Sequence, residues 1–152
     1  MLSLIVGLGY AGVSAYWASG GRGLLDTVGG VFEQLGRSRS AVTVAGLWVV
    51  VVVKVVAAAL PEATLCWPSR LGWWRSTRAL AWIDVAVLTL YGLVLSAGDL
   101  LSISGVIGAG APKDRVALAW HGFLWDPWFF AWGALGAAAL VCDHRRSRPG
   151  TA

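Results

Sequence analysis

The stretch 41–60, AVTVAGLWVVVVVKVVAAAL, constrains the fold of this chain more than any other feature. It has twenty residues, and Lys54 is the one charged residue among them. A helix of about 20 predominantly apolar residues crosses the hydrocarbon core of a bilayer. In that core every backbone polar group must find its partner inside the protein. The stretch therefore predicts a membrane-spanning helix, and we expect Pro61 to end it.

Three more apolar segments of similar length follow the same logic, at about 2–19, 79–101 and 115–142. The chain has 152 residues, of which 13% are charged, whereas about 25% are charged in a typical soluble domain. We therefore predict an all-α fold, a four-transmembrane-helix bundle that forms one integral membrane domain over 1–152 and leaves no soluble domain.

A shorter segment, 24–36, predicts a helix lying at the membrane interface. Its apolar residues recur at helical spacing, and they are Leu24, Leu25, Val28, Val31, Phe32 and Leu35. Two glycines weaken this helix. It is an addition to the four spans and not a fifth one.

The fourth span can begin in two ways. Asp126-Pro127 matches a helix N-cap followed by proline at the first helical position, which would separate the span from a helical stretch 115–125 capped by Asp114. In the alternative, one long helix runs from Arg115 and is kinked at Pro127.

The charge pattern bears on partners and location. The net charge of +4 is carried by loops and the tail and forms no basic face on a soluble element, so no nucleic acid is expected. The segments on the side of the termini hold six arginines against five basic residues on the other side, which favours N-in/C-in insertion in the cytoplasmic membrane of a bacterium. Cys66 and Cys142 form no CxxC or Cys/His cluster, so neither a redox motif nor a zinc site is predicted.

Two charges fall inside predicted spans. Lys54 lies about 10 Å from the membrane face where the second span ends, and Asp84 lies roughly 7–8 Å from the same face. We therefore predict a Lys54–Asp84 ion pair that fixes the packing of spans two and three. Snorkelling of Lys54 alone and a role in proton or substrate handling are the alternatives. Asp99, near the other end of span three, is predicted to form a rim salt bridge with Lys113 or Arg115, worth little energy.

The segment 119–133, AWHGFLWDPWFFAWG, surrounds one histidine and one aspartate with aromatic side chains. On a helix His121 and Trp125 share a face, and the stripe continues at spacings of three and four. Aromatic residues of spans one and three reach similar depths. The predicted ligand-binding set is Tyr16, Trp17, Tyr91, Trp125, Trp128 and Trp132.

Three interpretations of this segment stay open. In the first, Asp126 caps a helix and the tryptophans form an interfacial belt. In the second, the aromatic residues bind a lipid, isoprenoid or quinone-like molecule. In the third, the protein is an intramembrane enzyme of isoprenoid cyclase or isomerase type, with Asp126 as general acid and His121 as its partner. One histidine without further ligands argues against a metal or haem, so no cofactor is expected.

Small residues also permit close helix contacts between chains. The patterns are Gly92-x-x-x-Ser96 and Gly133-x-x-Gly136, and such patterns mediate helix association in lipid. They fit packing within one bundle equally well. A homo-oligomer, or a structural subunit of a larger membrane complex, is therefore an alternative to a protein whose partners are membrane lipids alone.

Three motifs carry a resemblance to a known family. They are YWASGGRGL at 16–24, LYGLV at 90–94 and HGFLWDPWF at 121–129. Together they resemble an actinobacterial family of small four-helix integral membrane proteins of unknown function, in which the HxxLWDPWF pattern is the most specific element. The resemblance covers most of the chain and implies the four-span fold. It implies no particular reaction.

Overall fold

The computed structural model describes residues 1–66, 73–107 and 115–146, and the regular elements in these ranges are all helical. No strand occurs among the described residues. The all-α membrane bundle predicted from the sequence is therefore confirmed. The elements in chain order are α1 (Leu2–Ala18), a 3-10 turn (Leu25–Thr27), α2 (Gly30–Ser38), α3 (Ala41–Cys66), α4 (Trp74–Ile103), α5 (Arg115–Trp120), a π-helical turn (His121–Trp125) and α6 (Asp126–Arg146).

In the described part of the chain, three helices are long and apolar enough to cross a membrane, namely Ala41–Cys66, Trp74–Ile103 and the continuous helix Arg115–Arg146. They correspond to the second, third and fourth predicted spans. The helix Leu2–Ala18 is apolar and has 17 residues, which is at the lower limit of about 17–25 for a spanning helix. Its assignment as the first span stays a prediction.

The expectation that Pro61 ends the second span is wrong. Pro61 lies inside α3, which continues to Cys66, and the proline ring is fully buried. Proline is tolerated inside membrane helices because Ser or Thr side chains and neighbouring helices satisfy the freed backbone groups. The group that Pro61 leaves without a donor is the Ala57 carbonyl, four residues earlier. The Thr64 hydroxyl donates to the Pro61 carbonyl itself, at 2.7 Å. The spanning helix is therefore longer than its apolar run.

Helices α4 and α6 pack backbone to backbone at two glycines. A Cβ added at Gly92 would lie 2.2 Å from the Phe130 amide nitrogen, and one added at Gly133 would lie 2.5 Å from the Thr89 amide nitrogen. Both distances are far below ordinary van der Waals contact. Gly92 and Gly133, two of the small residues that suggested helix association, therefore pack two helices of the same chain against each other. Association between chains stays a prediction.

Large apolar side chains lie on the outside of the bundle. Among the described residues, two clusters of buried side chains are packed inside the bundle, Tyr10, Ala58, Trp125 and Trp132 in one and Ala81, Val85 and Leu140 in the other. The outer faces of α3 and α4 expose valines and leucines along most of their length. Soluble monomers rarely expose apolar patches of more than a few hundred Å². Apolar side chains on the outside of the bundle are expected of a protein that is surrounded by lipid.

The segment between α1 and α3 lies across one end of the bundle. Thr27 and Leu25 are buried, and a Cβ added at Gly29 would meet the Ala117 methyl at 2.6 Å. Gly29 has φ +64°, a conformation that favours glycine, and it separates the 3-10 turn from α2. The predicted interfacial segment is thus helical in two pieces, although the side chains of Val31, Phe32 and Leu35 lie outside the described residues.

Two predictions fall on loop residues beyond the described ranges. The helix cap assigned to Asp114 and the lysine of the rim salt bridge, Lys113, both lie outside residues 1–66, 73–107 and 115–146. The predicted pairing of Asp99 with Lys113 therefore stays a prediction.

Candidate functional site

The helix that carries the aromatic segment does not begin at Pro127. It runs without a break from Arg115 to Arg146, and it widens into a π-helical turn over His121–Trp125 in which the Asp126 amide donates to the His121 carbonyl. Proline has no N–H, and its ring crowds the carbonyl four residues earlier. A π turn just before Pro127 gives that carbonyl room. Asp126 is therefore not an N-cap, and the capping interpretation is wrong.

The π turn brings His121 against Asp126. The imidazole Nδ1 lies 3.4 Å from Oδ2 and 3.5 Å from Oδ1 of Asp126. The other ring nitrogen, Nε2, lies 3.1 Å from the Val28 carbonyl oxygen, in the segment that crosses the end of the bundle. Because a carbonyl oxygen accepts and cannot donate, Nε2 bears a hydrogen and donates to Val28. This bond fixes the ring.

The orientation of the ring has a chemical consequence. With the hydrogen on Nε2, the Nδ1 atom of a neutral imidazole presents a lone pair to the Asp126 carboxyl group. That carboxyl group is only 2% exposed. Two facing acceptors cannot hydrogen-bond to each other, so a proton or another cation must lie between them. The pair is built to hold a positive charge inside the bundle.

A second carboxyl group joins the pair from α4. Ligand atoms of Asp99, His121 and Asp126 all lie within 4.8 Å of one another. Gly122 faces Asp99, since a Cβ added there would lie 3.4 Å from the Asp99 Cβ, in ordinary van der Waals contact. We call these three residues the histidine–carboxylate site. The sequence did not place Asp99 with His121 and Asp126, because chain order does not show which side chains share a face, and its rim salt bridge with Lys113 or Arg115 stays a prediction.

The aromatic residues form the core beside this site. Trp125 and Trp132 are 2% and 1% exposed, so for these two the interfacial-belt interpretation is wrong. Tyr10 stands at the centre of the cluster, with its ring 5.0 Å from that of Trp128 and 4.6 Å from that of Phe129. Sequence reasoning missed Tyr10. The spacing of the small and buried positions of α1, Ser3, Gly7, Tyr10 and Ser14, was the signal that could have found it.

Three tryptophans of the predicted ligand-binding set donate their indole N–H to the protein. Trp125 donates to the Thr27 hydroxyl at 3.1 Å, Trp128 to the Val6 carbonyl at 3.0 Å, and Trp17 to the Gly23 carbonyl at 2.8 Å. The indole nitrogen of Trp132 is buried and has no hydrogen-bond partner among the described residues. The bonds from Trp125 and Trp17 hold the segment between α1 and α3 against the end of the bundle. We call this segment the crossing segment.

The two tyrosines of the set lie at the edge of the bundle. Tyr16 and Tyr91 are both exposed. The Tyr16 hydroxyl accepts from the Gly23 amide at 3.2 Å, and the Tyr91 ring meets Phe129 edge to face at 5.2 Å. The six predicted residues therefore differ in burial: Trp125 and Trp132 are buried, Trp17 and Trp128 are half-buried, and the two tyrosines are exposed.

Lys54 does not pair with Asp84. Its ammonium donates to the Ser14 hydroxyl at 2.8 Å and lies 3.6 Å from the centre of the Tyr10 ring. Atom Oδ2 of Asp84 is buried without a hydrogen-bond partner among the described residues. The depths estimated from the sequence were similar, but Lys54 lies on the side of α3 that faces α1, and Asp84 belongs to α4. A shared depth is not a shared face.

The comparisons with known proteins give one match. The family model described as "Protein of unknown function (DUF3995)" matches residues 7–136. The chain belongs to this family. No curated protein matches, and neither does any solved structure. The matched residues of this DUF3995 protein include all three members of the histidine–carboxylate site, so the site lies within the part of the chain that defines the family.

Proposed function

We propose that this membrane protein binds the polar end of an isoprenoid- or quinone-like lipid at its histidine–carboxylate site. The observation that carries the proposal is the buried Asp126 carboxyl group facing a fixed imidazole lone pair. Neither group caps a helix, and a charge this deep in a bundle is costly unless it is paired or used. Such sites in membrane proteins commonly mark a ligand or proton pathway.

Access to the site is from the side of the bundle. The crossing segment covers the site at the end of the bundle, where Val28 bonds His121. The His121 side chain is 33% exposed, and Phe123, on the same turn, is 69% exposed. A lipid could therefore reach the carboxylates laterally, with its chain along the apolar surface. A hydroxyl in its head group would donate to one of the carboxylates.

Mass spectrometry of the organic extract tests this proposal. The full chain is purified in native-lipid particles, and lipids enriched over the bulk membrane are identified. We expect an isoprenoid or quinone-like compound with the unmodified protein and its loss in Asp126→Asn. Asp143→Asn is the matched control, because Asp143 pairs with Arg78 at the opposite end of the bundle. Equal enrichment in all three proteins, or none in any, would contradict the proposal.

A second candidate function rests on the proton that the pair can share. If that proton lies between Nδ1 and the Asp126 carboxyl, Asp126 can donate it to a double bond of a bound isoprenoid and His121 can replenish it. The protein would then be an isomerase or cyclase. In deuterated water the unmodified protein should place deuterium in the bound lipid, and Asp126→Asn should not. Exchange that persists in a folded Asp126→Asn protein would exclude this function.

We also propose a location and a set of neighbours. The arginine distribution supports a bacterial cytoplasmic membrane with both termini on the cytoplasmic side. Membrane lipids cover the exposed outer faces of α3 and α4. A second copy of the chain, or another membrane subunit, is the alternative cover, and the size of the particle extracted in mild detergent distinguishes the two.

A further inference from the structure

We infer that Asp99, His121 and Asp126 together bind a divalent first-row transition-metal ion, for which Zn²⁺ is the best match. The inference deepens the proposed function and rests on it, because the ion would hold the oxygen of the ligand's head group. It adds Asp99, on α4, to the pair formed by His121 and Asp126.

The distances within the site suit a common ion as well as a long hydrogen bond. The Nδ1 atom of His121 lies 3.4 and 3.5 Å from the two carboxylate oxygens of Asp126, whereas N–H···O hydrogen bonds are usually about 2.7–3.2 Å long. Nitrogen and oxygen ligands lie about 2.0–2.2 Å from zinc in tetrahedral geometry, which separates two ligand atoms by about 3.3 Å. With all ligand atoms within 4.8 Å, Asp99 needs to move by only about 1.5 Å to reach such a separation.

The histidine is also oriented as a metal ligand would be. Metal-bound histidines usually donate their second ring N–H to a carboxylate or a backbone carbonyl, which fixes the ring and its tautomer. His121 does this through Nε2 and the Val28 carbonyl, at 3.1 Å. The lone pair of Nδ1 is left pointing at the carboxylates. His121 is therefore oriented as a ligand of a metal ion would be.

The ligand types favour a divalent cation. The site offers two carboxyl groups and one imidazole, and Asp126 is among the least exposed polar residues of the described chain. Imidazole combined with carboxylates suits zinc, iron or manganese, and the lack of a thiolate disfavours Cu(I).

Three protein ligands leave a coordination position open. Zinc sites of this kind usually hold a fourth, exchangeable ligand such as water or substrate. An oxygen atom of a lipid head group has the right chemistry to take that position. The inference therefore narrows the ligand class to lipids whose polar end offers an oxygen donor.

Metal analysis of the purified full chain tests the inference. The protein carries an affinity tag without histidines, and zinc, iron and manganese are measured by mass spectrometry before and after loading with Co²⁺ as a spectroscopic probe. We expect about one transition-metal ion per chain and a visible Co²⁺ absorption band. Asp99→Asn and Asp126→Asn should each lower the Co²⁺ affinity at least about tenfold.

Two variants serve as controls. Asp84→Asn changes another carboxyl group of α4, and His144→Gln changes the histidine at the opposite end of the bundle. Both should bind Co²⁺ as the unmodified chain does. If Asp126→Asn fails to fold, Asp99→Asn answers the question, because Asp99 is the less buried of the two aspartates.

The inference is overturned if the unmodified chain binds neither zinc nor Co²⁺ and its melting temperature does not rise when either ion is added. It is also overturned if folded Asp99→Asn binds Co²⁺ as tightly as the unmodified chain. Lipid extraction separates the two proposals. A lipid enriched without bound metal contradicts the metal site and leaves the lipid proposal standing. Bound metal without any enriched lipid contradicts the lipid proposal and leaves the metal site standing.

Discussion

Gly92→Ala should destabilise the bundle far more than the same change at Gly98, the other glycine of α4. The new Cβ would lie 2.2 Å from the Phe130 amide nitrogen, 2.8 Å from the Phe130 Cα and 2.7 Å from the Asp126 carbonyl oxygen. All three atoms belong to the backbone of α6, so no side chain can rotate away. Ordinary contact begins at about 3.4 Å, and the two helices must therefore separate locally by about 1 Å.

Two effects set the magnitude. Overpacking in a closely packed interior usually costs about 1–3 kcal/mol, and a gap of 0.5–1 Å forfeits roughly a quarter to a half of each dispersion contact along the interface. We expect a loss of about 2–4 kcal/mol in the free energy of unfolding. Gly98 is the matched control, because nothing lies within 4 Å of a Cβ added there. Gly98→Ala should be neutral or stabilising by up to about 1 kcal/mol.

Reversible unfolding of both variants in mixed micelles, with increasing denaturing detergent, measures the difference. Far-ultraviolet circular dichroism follows the helix content. The metal site gives a second readout, since moving α4 away from α6 also carries Asp99 away from Asp126 and should weaken Co²⁺ binding. If Gly92→Ala and Gly98→Ala unfold at the same detergent fraction, the backbone contact between α4 and α6 does not exist as described.

Three further predictions concern other parts of the bundle. Thr27→Val removes the acceptor of the buried Trp125 N–H and should cost about 1–3 kcal/mol, whereas Thr27→Ser should keep most of the stability; equal loss in both would contradict the hydrogen bond. Lys54→Met should change the free energy of unfolding by less than about 1 kcal/mol, because replacing a buried ion by an apolar side chain of similar volume is often neutral; loss of folding would mean that the charge is structurally essential. Cys66 and Cys142, both exposed, should react with a membrane-impermeant maleimide in inverted vesicles and not in intact cells; reaction in intact cells would reverse the proposed orientation.

The spans could be predicted because their physics is local. A run such as 41–60 is apolar for twenty residues, and a chain in lipid must close its hydrogen bonds within a helix. The end of α3 could not be predicted in the same way. Pro61 looks like a helix stop in water, but in this bundle it is buried and the helix continues to Cys66.

Only part of the histidine–carboxylate site could be predicted from the sequence. Regular α-helical spacing puts His121 on the face of Trp125, four residues on, and does not put it beside Asp126, five residues on. The π turn changes this, because its hydrogen bonds span five residues. The contribution of Asp99 depends on how closely α4 approaches Gly122. A single sequence does not show such an approach.

The pairing of Lys54 failed for a related reason. Helical rise fixes how deep a residue lies, and for Lys54 and Asp84 the depths are similar. The direction in which each helix turns its side chains depends on which neighbours it packs against. The Lys54 side chain points to Ser14 and Tyr10 of α1, a choice set by tertiary packing and not by the pattern of α3 itself.

Nitrogen-15 solid-state nuclear magnetic resonance of His121 in lipid bilayers tests the central claim most directly. The protein has two histidines, so His144→Gln leaves a single imidazole to observe. We predict a proton on Nε2, held by Val28, and an Nδ1 resonance that moves when Asp126 is changed to asparagine. A proton on Nδ1 with a bare Nε2, or the mixture of tautomers of free histidine unchanged by Asp126→Asn, would contradict the histidine–carboxylate site.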